Sequence, residues 1–224
     1  MTQNIILSVI DEKETLDNGV YMKLKEMIIN SELQPGVLLV QSQLAKMLNV
    51  SRTPLRKAIG QLEAEGLLMH TAKGCYVHAF TTTDMVSVFE IRAVLEGLAC
   101  RFVAAKAEPA DFAYMRALFQ QAYQLYEQEA NYEAYYKADL RFHTLIIDLA
   151  KDPLLSRTVD SYRFILTSLM KGLYRDPHET YPEHLSIIEA LAGKNGEHAE
   201  ELIRDHIRKA IPQIQQGKVS VPPK

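Results

Sequence analysis

The sequence predicts a mostly α fold in two parts: a small N-terminal unit of short helices closed by a two-stranded hairpin, then an all-α antiparallel bundle of about six helices. Three observations carry this. Between Ser42 and Leu68, two apolar stripes at helical spacing are separated only by Asn49-Val50. Two short runs then flank Thr71-Ala72-Lys73-Gly74, the pattern of a hairpin with a tight turn. From Asp84 to Gln216 the apolar period is helical throughout, with Pro, Asn or Gly recurring where helices would end.

Residues 1–16 read as a loose arm, and the first unit spans 17–80. Its leading helix runs from about Asp17 to Glu32, with Val20, Leu24, Met27 and Ile28 on the apolar side, and Gln34-Pro35-Gly36 turns the chain. Val37–Val40 suits a short strand paired with the hairpin. Ser42 can cap the next helix, whose Leu44, Ala45 and Leu48 share a face. Asn49 falls at the turn, where it tolerates left-handed backbone. Ser51 offers a second cap, and Pro54 lies in the first helical turn, where its missing N–H costs nothing. Leu55, Ile59 and Leu62 make the buried stripe, leaving Arg52, Arg56 and Lys57 outward. Leu67–His70 and Cys75–Ala79 are the hairpin strands, with Lys73 and Gly74 at the tip. Helix, turn, basic helix and wing is the order of a winged helix-turn-helix, whose second helix enters a major groove. A helical hairpin with a solvated basic face is the plainer reading, and the wing argues against it.

This stretch resembles the DNA-binding domain of the GntR family of bacterial transcription regulators. The residues that carry the resemblance are Leu44-Ala45, Leu48-Asn49-Val50-Ser51-Arg52-Thr53-Pro54-Leu55-Arg56, Leu62, Glu65-Gly66-Leu67 and Lys73-Gly74. The family usually has Gly in place of Asn49 and Glu in place of Lys57, so this reading face is more basic than its relatives'. The resemblance implies a double-stranded DNA operator. Arg52 and Arg56 would contact base edges, Ser51, Thr53 and Lys57 phosphates or neighbouring bases, and Lys73 and Gly74 the backbone or minor groove. One winged helix makes too few contacts for operator affinity, so a homodimer on a pseudo-palindromic site is expected.

The net charge of −3 alone argues against nucleic acid, but its distribution does not. Between Gln41 and Ala79, Lys46, Arg52, Arg56, Lys57 and Lys73 face only Glu63 and Glu65, a local surplus of three positive charges. No apolar run is long enough to span a membrane, and MTQNIILSVI lacks the basic start and cleavage site of a secretory signal. Cys75 and Cys100 fall in different parts and form no disulfide framework; a cytoplasmic setting is expected.

Thr81-Thr82-Thr83-Asp84 joins the first unit to the bundle of 81–216, and the tail 217–224 has little to bury. Helices are expected at 84–106, 109–129, 131–150, 153–174, 179–193 and 196–216, and short connections imply antiparallel neighbours. Asp139 and His143, four apart, project from one helix face near Leu140 and Ile147. His184 precedes Ile187 and Ile188, while His206 is flanked by Ile203, Ile207 and Ala210. By periodicity alone these four are either hydrogen-bonded core residues or ligands of Zn, Ni, Mn or Fe(II) with positions left open. His70, His78, His178 and His198 fall outside the pattern.

The runs Asp139-Leu-Arg-Phe-His143, Glu183-His184-Leu-Ser-Ile187 and Arg204-Asp-His206-Ile are similar to the effector domain of the FadR-like branch of that family, the FCD domain. The resemblance implies that Asp139, His143, His184 and His206 hold a divalent metal ion. Arg92 lies in a strongly apolar stretch, where it either pairs with Glu96 four residues on or clamps a carboxylate in the cavity. FCD domains similarly use an arginine there and sense small organic acids. Tyr132, Tyr135, Tyr136, Tyr162 and Arg163 are weaker pocket candidates. A metal-dependent hydrolase is disfavoured, because no nucleophile motif or phosphate loop accompanies the cluster, and a regulator is expected rather than an enzyme. A constitutive DNA-binding regulator with a purely structural metal is the alternative.

Overall fold

The computed structural model of the chain describes residues 18–160 and 175–217. The arm 1–16, the end of the helix expected at 153–174, Tyr162, Arg163 and the tail beyond Gly217 lie outside the described residues. The chain divides into two compact units, at Phe80 and Thr81.

In the first unit, α1 (18–29) buries Val20, Leu24 and Met27. Its other side is tied down by Glu65, which accepts from the Tyr21 hydroxyl at 2.5 Å and from Lys25 Nζ at 2.8 Å. Then follow α2 (Gln41–Met47), α3 (Arg52–Ala64), β1 (Leu68–Thr71) and β2 (Gly74–Val77). Asn49 turns the chain between α2 and α3 at φ 53°, as its tolerance for left-handed backbone suggests. The two serine caps are corrected. Val40, not Ser42, precedes α2, and Ser51 occupies the cap position of α3 without a side-chain cap bond. Pro54 is buried in the first turn of α3, alongside Leu55, Ala58, Ile59 and Leu62. β1 and β2 pair antiparallel from Leu68–Val77 to Thr71–Gly74. The strand expected at Val37–Val40 is reduced to one bridge, Leu38 to Tyr76, held by Leu39 N–H on Cys75 O at 2.8 Å.

The second unit holds α4 (Thr82–Lys106), α5 (Pro109–Glu129), α6 (Tyr132–Ala150), α7 (described over 153–160), α8 (Pro177–Ala192), α9 (Gly196–Arg208) and α10 (Ile211–Gln215). Thr81 and Asp84 form a reciprocal capping box, so α4 starts two residues earlier than expected. Asn131, Asp176 and Asn195 cap α6, α8 and α9 through their side chains. The single helix expected over 196–216 is broken in two. Pro212 lacks the N–H that would bond Arg208 O, and α9 ends at Arg208. α4 packs on α9 and α6, α5 on α6 and α8, and α8 on α9. This arrangement buries Phe119, Tyr135, Phe142, Ile146, Ile187 and Ile203 in one core and leaves α6, α8 and α9 converging beside it.

Candidate functional site

The first unit offers a reading face. Ser51, Arg52, Thr53, Arg56 and Lys57 are all exposed at the start of α3, while the alternate positions Leu55, Ala58 and Ile59 anchor the helix. Lys73 is exposed at the hairpin tip, where its N–H donates to Thr71 Oγ1 at 3.1 Å. Gly74 stands at φ 131°, and a Cβ there would lie 2.7 Å from Leu38 Cδ1. The glycine therefore has a structural reason to be there, separate from any contact with DNA.

The second unit builds a buried cluster. One turn of α6 presents Asp139 and His143, α8 presents His184, and α9 presents His206. All four are buried, and one potential ligand atom from each lies within 4.8 Å of the others. The imidazoles are turned the same way. His143 Nδ1 meets Glu96 Oε2 at 2.5 Å, His206 Nδ1 meets Glu183 Oε2 at 2.8 Å, and His184 Nδ1 lies 3.3 Å from the Tyr135 hydroxyl. Each Nδ1 thus has an outer partner, and Nε2 is the nitrogen turned inward. His184 Nε2 is 3.3 Å from Asp139 Oδ1, and His143 Nε2 is 3.9 Å from Asp139 Oδ2. His184 is fully buried, yet its Nε2 has no hydrogen-bond partner among the described residues. An orphaned nitrogen in a polar pocket is costly unless something binds it. Three imidazole nitrogens and a carboxylate, each imidazole oriented by a second group, fit a divalent transition metal with open positions.

The electrostatics match. Burial pushes the Asp139 carboxyl up, but the adjacent imidazoles of His184, His143 and His206 outweigh it and hold the acid ionised. Burial, reinforced by His184, lowers His206 to about 4, and burial also lowers His184. A deprotonated acid beside neutral imidazoles is the protonation state a metal requires. Burial raises Glu96, but Arg92 and His143 bring it down to about 2. Glu183 is lowered too: burial raises it, and His206, Arg175 and Lys209 overcome that.

Arg92 is buried, its Nε donates to Glu96 Oε1 at 2.7 Å, and its guanidinium sits over Phe89 at 5.2 Å. It joins the cluster through Glu96 and His143. The orienting groups were the part that sequence reasoning missed. Glu96 was visible only as the residue four beyond Arg92, and Glu183 only as a neighbour of His184. Arg175, which donates to Glu183 at 2.5 and 3.0 Å, carried no signal. Tyr135 belongs to the cluster's wall, whereas Tyr123, Tyr126 and Tyr132 pack against one another and Tyr135. His70, His78, His178 and His198 stand apart from the quartet, as expected.

A winged unit with an exposed basic helix, followed by an all-helical unit, is the domain order of a DNA-binding regulator of transcription. The chain belongs to the GntR family of bacterial regulatory proteins, in the branch that carries an FCD domain: residues 16–77 match the first and 87–209 the second. It is similar to the Nta operon transcriptional regulator of Aminobacter aminovorans, 28% identical over 84% of this chain and 89% of that one. It is 29% identical to the transcriptional repressor GlaR of Escherichia coli K12, over 88% and 94% of the two chains. Among solved structures, Lar, which controls expression of the Listeria monocytogenes agr system, matches with TM-score 0.61 and 26% identity over 89% of this chain and 96% of Lar. A putative GntR regulator from Rhodococcus sp. RHA1 has TM-score 0.65 at 23% identity, over 89% and 97%, and so shares the fold. These families and relatives are transcription regulators, not enzymes. Among the described residues, no helix is long and apolar enough to cross a membrane.

Proposed function

We propose that this DNA-binding regulator holds a divalent metal ion on Asp139, His143, His184 and His206, and that a small carboxylate reaching the metal and Arg92 modulates operator binding. The observation that carries the metal is the buried, unpartnered His184 Nε2 facing Asp139, with every imidazole's Nδ1 already turned to an outer group. Bound there, the metal supplies a Lewis acid that attracts carboxylate oxygens. The chain's own residues do the rest. Glu96 and Glu183 fix two ring orientations, Asp139 contributes negative charge, and Arg92 supplies the cationic partner. Zn, Ni, Mn and Fe(II) all suit this donor set.

On DNA, Arg52 and Arg56 read base edges. Ser51, Thr53 and Lys57 hold phosphates or flanking bases, and Lys73 and Gly74 bring the wing to the duplex. The regulator acts as a homodimer on a pseudo-palindromic operator, in the cytoplasm where its DNA lies. Ile91, Val94 and Leu98, exposed at i, i+3 and i+7 on α4, make an apolar stripe that a second copy would cover. Effector control requires different affinity for two dimer arrangements.

A second reading, a constitutive regulator with a purely structural metal, draws on one observation: the Arg92 Nε is already engaged by Glu96. A thermal-shift screen of small carboxylic acids, with and without chelator, separates the two. Stabilisation by an acid only in metal-loaded protein, lost in Arg92→Ala, supports effector binding. Stabilisation by metal and by no acid supports the structural role.

A further inference from the structure

The first unit contains a second set of potential metal ligands, on a different surface from the bundle. His70 on β1 and Cys75 on β2 are directly opposed across the hairpin, so their side chains share a face. Leu68 and Val77, two residues away on each strand, are both buried, so this is the face turned to the core. At the edge of that face Glu63, in the last turn of α3, reaches His70 Nδ1 with Oε1 at 3.1 Å. One potential ligand atom from each of Glu63, His70 and Cys75 lies within 4.8 Å of the others. Tetrahedral ligands at zinc distances stand about 3.5 Å apart, so a modest contraction completes the site. The His70 side chain is 67% exposed, so solvent reaches the imidazole and its rotamer can make that movement.

We propose that Glu63, His70 and Cys75 form a second metal site, selective for borderline-soft divalent cations such as zinc or cobalt, with a fourth position open to water. Thiolate, imidazole and carboxylate together favour such ions over magnesium or calcium. Without an ion the thiol keeps its proton, since burial and Glu63 push Cys75 up to about 12. Binding releases that proton to solvent as the metal–sulfur bond forms. The ion would pin both wing strands to the end of the reading helix, only a few residues from Lys73. It thereby links metal supply to wing geometry independently of the bundle cluster.

Cobalt separates the two sites, because only the wing site offers sulfur; the bundle quartet is one aspartate and three histidines. The full chain, freed of metal, is titrated with cobalt chloride and followed by absorbance. The expected result is a near-ultraviolet thiolate-to-cobalt charge-transfer band in the parent, in His143→Ala and in Cys100→Ser, lost in Cys75→Ser. In His70→Ala, an exposed change that leaves the fold intact by circular dichroism, the band is lost or needs far more cobalt. No band in the parent, or a band that survives Cys75→Ser, overturns the proposal. Either result leaves the bundle site untouched, since cobalt on that site gives only the weaker visible bands.

Discussion

Replacing Glu96 with Gln changes one buried residue and tests the bundle's electrostatic design. The carboxylate accepts from Arg92 Nε at 2.7 Å with one oxygen and from His143 Nδ1 at 2.5 Å with the other. Glutamine keeps the shape but has a single acceptor oxygen, and its amide N–H₂ must face one of the two donors. Either Arg92 or His143 then loses its carboxylate oxygen at residue 96, a position only 4% exposed. Breaking a buried ion pair from one side costs about 3–5 kcal/mol, and for a chain of this size that lowers the melting temperature by on the order of 10 °C. Loss of the orienting group on a metal-binding histidine weakens metal affinity roughly 10–100-fold. Thermal melts in chelator measure the first effect, and calorimetric titration with nickel the second. The double variant Arg92→Met, Glu96→Leu removes both charges, so it should recover most of the stability while leaving the metal defect, because His143 Nδ1 still has no carboxylate. If Glu96→Gln melts with the parent and binds nickel as tightly, Glu96 neither neutralises Arg92 nor orients His143.

Arg52→Ala should weaken operator binding by roughly 1–3 kcal/mol and relax preference at one base pair; uniform weakening across all sequences in a gel-shift series would assign it to phosphate instead. Gly74→Ala should destabilise the wing by about 1–3 kcal/mol, because φ 131° is strained for any L side chain. Leu38→Ala should not rescue it, since removing Leu38 Cδ1 relieves the contact and not the backbone, and hydrogen exchange in β1 and β2 reads the result. In chelated protein, stability should fall as pH drops from 6.5 towards 4. Folding lowers His206 to about 4, so the unfolded chain binds more protons across that window and stability rises with pH there, by up to about 3 kcal/mol. Urea melts at stepped pH measure this, and His206→Gln should flatten the slope.

Much of the fold was legible because local chemistry and tertiary packing agree. Pro109 opens α5, Asn131 caps α6, and Asn49 takes the left-handed turn that its side chain tolerates. The quartet was legible as residue types at helical spacing on core-facing stretches. Its outer partners were not. Glu96 reaches His143 across 47 residues and Glu183 reaches His206 across 23, and helical periodicity says nothing of which side chains meet between helices. The serine caps failed for a related reason. Ser51 stands at the cap position but is exposed and makes no side-chain cap bond, whereas Ser42 falls inside α2, which starts after Val40. The spacing of apolar residues does not fix where a helix begins. Pro212 was visible, and its missing N–H explains why one expected helix is two.

The claim on which the rest depends is that the buried aspartate and three histidines hold a metal ion, and elemental analysis of purified protein tests it most directly. The measurement is best made in the Cys75→Ser background, which removes the sulfur ligand of the wing site. The expected result is one divalent transition metal per chain, lost in His143→Ala while circular dichroism shows the helices intact. Metal-free protein after reconstitution, or occupancy unchanged by His143→Ala, would contradict it.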